Sequence, residues 1–311
     1  MKSWLKYIYG IFIILILLII YFFIKNNLDN IKDVINLSII NFLILSILIL
    51  ITITLNGYKI NILSEYYNIK LKSKEWFGLS VITTMSNYLT PFGLGTSLRG
   101  IYLKKKYKLP YKSFITTLGI NFIVSFFMYG FIGISLMIFF NFKYNFFSFV
   151  IFSIFLVMFI ANLLIILFSP SLKYTKYKFL NNFIYMVNEW RKIKKDWKLA
   201  TKLVLNDFLA LINYSLRISF IFFILSNKIP FLFSVLIALL TVSSLIIGIT
   251  PASLGIKEIL ITYSTIAIGK TLDLGILVAA IDRGVAILYV FLLGGIFSYI
   301  LLKNLKKTKK Q

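Results

Sequence analysis

The sequence predicts an all-α polytopic membrane protein with about six transmembrane helices, two re-entrant helical hairpins and an inverted-topology repeat. Apolar residues make up 59% of the chain and aromatic residues 17%, well above the roughly 45–50% apolar content of soluble domains. Apolar runs long enough to cross a hydrocarbon core of about 30 Å recur along the chain. The motif Thr-Pro-x-x-Leu-Gly occurs twice, at Thr90–Gly95 and at Thr250–Gly255.

The whole chain has 34 Lys and Arg and 10 Asp and Glu. The basic residues lie mostly between the apolar runs. This placement indicates contact with anionic headgroups at the cytoplasmic face rather than with nucleic acid. The chain has no Cys and no His, which excludes thiolate nucleophiles, imidazole bases and the usual zinc ligands. We therefore expect no catalytic residue, no metal site and no cofactor.

The first two spans are predicted at Tyr7–Ile24 and Val34–Tyr58. The first has the basic start of a signal peptide, but it has span length and lacks a small-residue cleavage site, so we expect a retained helix. The segment Asn61–Lys74 is basic and amphipathic. It is either a helix on the membrane surface or a solvated loop.

The first copy of the motif predicts a re-entrant hairpin. The run Trp76–Thr90 has 15 residues, about 22 Å of helix, which is too short to cross. Pro91 stops the helix, and Thr96–Tyr107 beyond it quickly becomes basic. Broken backbone is tolerated at membrane depth only inside protein or beside a water-filled cavity, so the break itself indicates such an environment.

Spans and a second hairpin are predicted in the rest of the chain. Pro230–Ile249 and Ile259–Gly269 flank the second motif as the arms of the second hairpin. The polar segment Pro170–Lys202 is strongly basic and contains apolar residues at helical spacing, which predicts a surface helix. The further full spans are expected at Tyr111–Phe140, Asn145–Leu167, Leu203–Leu225 and Asp273–Leu302.

The two motifs define a repeat within a single membrane domain of residues 1–311. Thr90 precedes Asn121 by 31 positions and Thr250 precedes Asp282 by 32. Repeat one covers about 34–140, repeat two about 203–302, and the basic cytoplasmic loop about 170–202. Excess Lys and Arg mark cytoplasmic loops, which predicts an inner-membrane protein with both termini in the cytoplasm and hairpins entering from opposite sides. Such inverted repeats with discontinuous helices are typical of secondary transporters.

The residues at and after the two breaks are the candidate substrate-binding residues. A helix that restarts after a break presents free N–H groups that attract phosphate, and the fork of Arg99 suits the same group. Alternatively, Arg99 only extends to the headgroups at the surface. The candidates are Thr90, Pro91, Gly95, Thr96, Ser97 and Arg99 at the first break, Thr250, Pro251, Gly255, Lys257 and Glu258 at the second, and Asp282 and Arg283 on the last span.

Six ionisable residues lie in or near apolar segments: Asp207, Arg217, Lys257, Glu258, Asp282 and Arg283. Charges facing lipid are costly, so these side chains should face the interior and pair. The pairs could be structural, locking the two repeats together, or they could form a transport path or proton relay. We assign Lys257, Glu258 and Arg283 to function, Arg217 to structure, and Asp207 to the membrane interface near the basic loop.

Two motifs give the chain its resemblance to the flippase-like family, the membrane half of lysylphosphatidylglycerol synthases. They are Leu89-Thr-Pro-Phe-Gly-Leu-Gly-Thr-Ser-Leu-Arg99 and Thr250-Pro-Ala-Ser-Leu-Gly-Ile-Lys-Glu258. The first motif of that family commonly carries an acid after its Gly, where this chain has Thr96 and Ser97. The resemblance implies movement of phospholipids, aminoacylated phospholipids or lipid-linked sugars between leaflets. Because no aminoacyltransferase domain follows Leu302, it implies translocation without synthesis.

We therefore expect a lipid flippase or lipid transporter whose partner is a membrane phospholipid or a lipid-linked substrate. One alternative is a membrane enzyme that modifies lipid headgroups, with Asp207, Glu258 or Asp282 as its only candidate acids; no paired-carboxylate or metal motif supports it. Another is a non-catalytic scaffold that binds a membrane protein through the basic loop.

Overall fold

A computed structural model of the protein describes residues 38–90, 93–168, 171–244 and 250–308. Within these ranges every regular element is a helix, so the predicted all-α class is confirmed. The first predicted span, Tyr7–Ile24, lies outside the described residues, as does Pro91 of the first motif.

The described helices range from 12 to 37 residues in length. Five of these are long and apolar enough to cross a membrane: α1, α4, α5, α7 and α10. The chain is thus a multi-pass membrane protein. In order, the helices are α1 (Ile39–Glu65), α2 (Ser73–Leu89), α3 (Gly95–Tyr107), α4 (Tyr111–Tyr144), α5 (Phe149–Leu167), α6 (Lys178–Ile193), α7 (Trp197–Ile224), α8 (Phe231–Ser243), α9 (Ile256–Ala267) and α10 (Leu272–Thr308).

The chain divides into two compact units, Met1–Ile44 and Leu45–Gln311. In the first, the described residues form the start of α1, where the Ser38 hydroxyl accepts a hydrogen bond from the Asn41 backbone N–H at 3.2 Å. The second unit contains both repeated motifs and every helix from α2 onward.

The segment between α1 and α2 is not a surface helix. α1 continues past Tyr58 to Glu65, residues 66–68 form a turn, and residues 69–72 have no regular structure. Ile69 and Leu71 are buried in a core with Leu79 of α2 and Tyr102 of α3. The amphipathic pattern of this stretch therefore reflects a loop whose apolar side chains pack against protein, and the surface-helix interpretation is wrong.

The first break separates two short helices, as predicted. Thr90 is extended, with φ −133° and ψ 143°, and α3 then folds back against α2. A Cβ on Gly95 would lie 2.5 Å from the Thr83 carbonyl oxygen and 2.6 Å from the Asn87 backbone nitrogen. Only glycine lets the start of α3 approach α2 this closely.

The described part of the second break lies directly before α9. Pro251–Ser253 form one 3₁₀ turn, and Gly255 has a φ of +82°, a value that residues with a side chain rarely adopt. α9 follows from Ile256 with 12 residues, about 18 Å of helix, which is too short to cross.

The last helix connects the two halves of the chain. α10 packs against α9 and α7 from the second half, and also against α2 and α3, the two arms of the first hairpin. α6 lies in the basic segment, as predicted, and packs against α4. Its Trp190 and Ile193 are buried in a cluster with Leu203 of α7.

Candidate functional site

Arg99 lies on α3 beside a cavity of about 240 Å³ formed by α2, α3 and α10. The walls are mostly apolar and include Leu79 and Ile82 of α2 and Leu301 and Leu302 of α10. We call this space the Arg99 cavity.

The guanidinium of Arg99 has no protein partner in the part of the chain that the structure describes. Its Nε is buried and makes no hydrogen bond, and the described ion pairs do not include Arg99. A guanidinium carries five N–H donors and cannot be neutralised by losing a proton. The buried Nε donor therefore lacks an acceptor among the described residues.

Two other polar groups of the first hairpin are also unsatisfied. The Thr83 hydroxyl and the Asn87 side-chain oxygen, both on α2, are buried without a hydrogen-bond partner. Thr83 and Lys105 line the Arg99 cavity. The space thus combines apolar walls with a small number of polar groups, which is the usual composition of a ligand pocket.

The backbone at the start of α3 is less open than the sequence suggests. The Thr96 N–H donates to the Gly93 carbonyl at 3.0 Å, and the Ser97 N–H donates to the Leu94 carbonyl at 2.9 Å. The Thr96 hydroxyl also donates to Gly93, and the Thr90 hydroxyl donates to the Ser86 carbonyl at 2.7 Å. These donors are occupied within the hairpin, so Arg99 supplies the free donors of this site.

Glu75 joins the two arms of the first hairpin, a role that the sequence did not predict. Its carboxylate accepts hydrogen bonds from the hydroxyls of Tyr102 at 2.6 Å and Tyr107 at 2.7 Å, and pairs with Lys106. Burial alone would raise the pKa of Glu75, but the hydrogen bonds from Lys106 and the two tyrosines lower it to about 2. The sequence signal was weak: one acid between Lys74 and an apolar run.

Asp282 is the centre of a second group of buried charges. Its Oδ1 lies 2.7 Å from Arg217 Nε, and its Oδ2 lies 2.9 Å from Lys257 Nζ. The Tyr214 hydroxyl donates to Oδ2 at 3.4 Å, and both cations lie about 5 Å or less from the Tyr214 ring centre. One carboxylate thereby connects α7, α9 and α10.

Glu258 and Arg283 form a separate pair at the second break. Arg283 Nε lies 2.5 Å from Glu258 Oε1, and Arg283 Nη2 donates to the Ala252 carbonyl at 3.2 Å. Glu258 also accepts the Gly255 N–H at 2.8 Å, which caps the start of α9. Across the hairpins, the Arg283 guanidinium lies 5.6 Å from the Tyr88 ring of α2. The pair therefore joins the break to α10, and Arg283 also reaches the first hairpin.

Asp207 is buried, so its predicted place at the membrane interface is wrong. It is 1% exposed, pairs with Lys59 of α1 and accepts a hydrogen bond from the Ser125 hydroxyl at 2.6 Å. Lys59 stands at the end of an apolar run, so its pairing could not be read from the sequence.

The candidate residues thus fall into two groups. Arg99 lies in the first hairpin beside its cavity, while Lys257, Glu258, Asp282 and Arg283 form the ion pairs of the second. The Thr250 hydroxyl is buried without a partner, and Ser97 is exposed. Within the described ranges no cluster of three or more acids could hold a metal ion.

Comparison with known proteins supplies one match. Residues 7–294 match the family model described as the lysylphosphatidylglycerol synthase TM region. No curated protein and no solved structure matches the chain.

Proposed function

Because the chain belongs to the lysylphosphatidylglycerol synthase TM region family, whose name connects it with a membrane lipid, we propose that it transports a phosphate-bearing lipid between leaflets. The substrate is a phospholipid, an aminoacylated phospholipid or a lipid-linked sugar. The phosphate binds Arg99 in the first hairpin.

The observation that carries this proposal is the unpartnered guanidinium of Arg99. Each acid that pairs with a cation in the described residues pairs elsewhere, so nothing in that part of the chain neutralises this charge. A lipid phosphate supplies the missing acceptors in a bidentate arrangement. The apolar walls formed by Leu79, Ile82 and Leu301 suit the part of the lipid next to its headgroup.

The second hairpin has a different part in this proposal. Its charges satisfy one another, with Asp282 and Glu258 facing Arg217, Lys257 and Arg283. The three cations exceed the two acids by one positive charge. This charge attracts the lipid phosphate as it passes but does not form a second binding site. Arg283 contacts Tyr88 of the first hairpin. A movement of one hairpin therefore displaces a side chain that contacts the other.

The function that we propose is transport and not catalysis. The candidate acids Asp207, Glu258 and Asp282 are each held in an ion pair with a cation, so none of them is free to act on a lipid headgroup.

The test is lipid movement in liposomes that contain only this protein. A lipid with a fluorescent acyl chain is followed by chemical quenching in the outer leaflet, with protein-free liposomes as the blank. Arg99→Ala should slow movement by roughly ten- to a hundredfold, since a charge-assisted hydrogen bond contributes about 1.5–3 kcal/mol. Arg99→Lys keeps the charge but loses the fork, so it should recover part of the rate.

The matched control is Lys104→Ala, five residues along the same helix. Lys104 does not line the Arg99 cavity, and its ammonium lies 4.3 Å from the Tyr111 ring centre. If Lys104→Ala costs as much as Arg99→Ala, then Arg99 is one part of a diffuse basic surface and the proposed site is wrong. Product formation from the lipid would support an enzyme instead.

A further inference from the structure

Among the described residues, those that line the Arg99 cavity include two positive groups and no carboxylate. Arg99 and Lys105 are its charged lining residues, and the other described residues around it are apolar or neutral, including Thr83, Tyr102 and Ser298. In this part of the chain a ligand that enters therefore meets positively charged hydrogen-bond donors and no acidic acceptor.

The acids of the described residues are also unavailable to a ligand here. Asp196 accepts the Leu199 N–H and caps α7. Asp273 is exposed in the first turn of α10, 28 residues before Leu301 and so roughly 42 Å along the helix from the cavity. The others are in ion pairs: Glu65 with Lys202, Glu75 with Lys106, Glu189 with Lys192, Asp207 with Lys59, Glu258 with Arg283, and Asp282 with Arg217 and Lys257.

We infer that the site selects lipids whose headgroup is a phosphate of net negative charge without an amino group, and that it discriminates against aminoacylated phospholipids. This inference rests on the proposed lipid site and names its substrate class. Phosphatidylglycerol and lipid phosphates carrying a neutral sugar belong to the selected class. Lysyl-phosphatidylglycerol carries two ammonium groups and one phosphate, so it would bring a net positive charge next to Arg99 and Lys105.

The physical reason is the cost of unpaired charge in a partly buried site. An ammonium group beside Arg99 has no carboxylate to accept its hydrogen bonds, and it also repels the guanidinium. A phosphate alone gains the Arg99 fork without either cost. Selectivity thus depends on two features of the described lining. Arg99 binds the phosphate, and the lack of a carboxylate leaves an ammonium group without an acceptor.

Binding is the primary test, because it does not depend on transport. Purified, delipidated protein is titrated in detergent with phosphatidylglycerol, phosphatidylcholine or lysyl-phosphatidylglycerol, and bound lipid is counted by native mass spectrometry. Phosphatidylglycerol should bind at least about tenfold more tightly than lysyl-phosphatidylglycerol. This ratio corresponds to one charge-assisted contact. Equal or tighter binding of the lysyl lipid would overturn the inference. Displacement of phosphatidylglycerol by an equal concentration of glycerol 3-phosphate would also overturn it, since the site would then bind soluble anions.

Introducing a carboxylate into the Arg99 cavity gives an independent test. Ser298→Asp places a carboxylate on the cavity wall and should shift the ratio of lysyl-phosphatidylglycerol to phosphatidylglycerol binding upward by about tenfold. Ser171→Asp, on an exposed loop residue outside the lining, adds the same charge and should leave the ratio unchanged. An unchanged ratio in Ser298→Asp would contradict the inference.

The same lipids in the liposome assay separate this inference from the proposed function. Faster movement of phosphatidylglycerol than of the lysyl lipid supports both. Selective binding without movement of any lipid would sink the transport proposal and leave the selectivity standing. Movement of all three lipids at one rate, together with equal binding, would leave transport standing and remove the selectivity.

Discussion

Arg217 and Asp282 form an ion pair in the interior of the protein, with Arg217 Nε 2.7 Å from Asp282 Oδ1. Arg217 is 4% exposed and Asp282 is 2% exposed. The pair connects α7, before the second break, to α10 after it. Because Lys257 takes the other carboxylate oxygen, one acid separates two cations that would otherwise face each other.

This sharing predicts an unequal effect of removing each partner. Asp282→Asn leaves Arg217 and Lys257 buried beside each other, and the cost of an uncompensated buried charge is about 3–5 kcal/mol. Arg217→Gln leaves Asp282 paired with Lys257, so we expect a smaller loss of about 1–3 kcal/mol. Thermal unfolding in detergent measures both.

Glu189→Gln is the control for that experiment. Glu189 pairs with Lys192, whose side chain is 70% exposed, one turn along α6, and such surface pairs contribute about 0–1 kcal/mol. If Arg217→Gln were as damaging as Asp282→Asn, Lys257 would not be holding the carboxylate as the geometry indicates.

Glu75 should make the first hairpin sensitive to acid. Hydrogen bonds from Lys106, Tyr102 and Tyr107 outweigh burial and lower its pKa from 4.5 to about 2. A depressed folded-state pKa stabilises the protein above the unfolded-state pKa, and this contribution is lost as the pH falls from about 4.5 through about 2. The unfolding temperature of the wild type should therefore fall over this window by more than that of Glu75→Gln. Parallel curves for the two proteins would show that Glu75 is not the titrating group.

Gly95 should tolerate no side chain. A Cβ there would be 2.5 Å from the Thr83 carbonyl and 2.6 Å from the Asn87 nitrogen, so Gly95→Ala must push α3 away from α2. We expect a loss of about 1–3 kcal/mol from overpacking, together with weaker lipid binding at Arg99 one turn later. Gly295→Ala on α10, where a Cβ meets nothing within 4 Å, should be neutral or slightly stabilising. Unchanged lipid binding in Gly95→Ala would mean that the contact does not position Arg99.

The sequence predicted the helices well because hydropathy and helix breaks are local properties. Short helices around Thr90 and Thr250 appear where the motif places them. The predicted C-terminal ends of α1 and α4 were short by seven and four residues. Ion pairs depend on helix packing and could not be predicted in detail. Glu75 and Lys59 were missed because they stand at the ends of apolar runs, and Asp207 was misplaced because Lys59 and Ser125 reach it from two other helices.

The hydrogen bonds at the first break show a second limit. The motif predicted free N–H groups after Pro91, yet Gly93 and Leu94 accept from Thr96 and Ser97. A break in a helix does not by itself release donors, because a turn can reuse them locally. The lack of a partner for Arg99 among the described residues is visible only in the structure, where the positions of the acids in those residues are known.

The predicted sidedness can be tested by labelling, since the chain has no Cys. Lys195 belongs to the basic segment before α7, and Lys143 lies near the end of α4; both are exposed. The positive-inside rule puts Lys195 in the cytoplasm and Lys143 on the opposite side. In intact cells a membrane-impermeant thiol reagent should therefore modify Lys143→Cys and leave Lys195→Cys unmodified until the cells are opened. The two positions report opposite ends of the bundle, so each is the control for the other's accessibility. Labelling of Lys195→Cys in intact cells would reverse the orientation and place the Arg99 hairpin on the outer face.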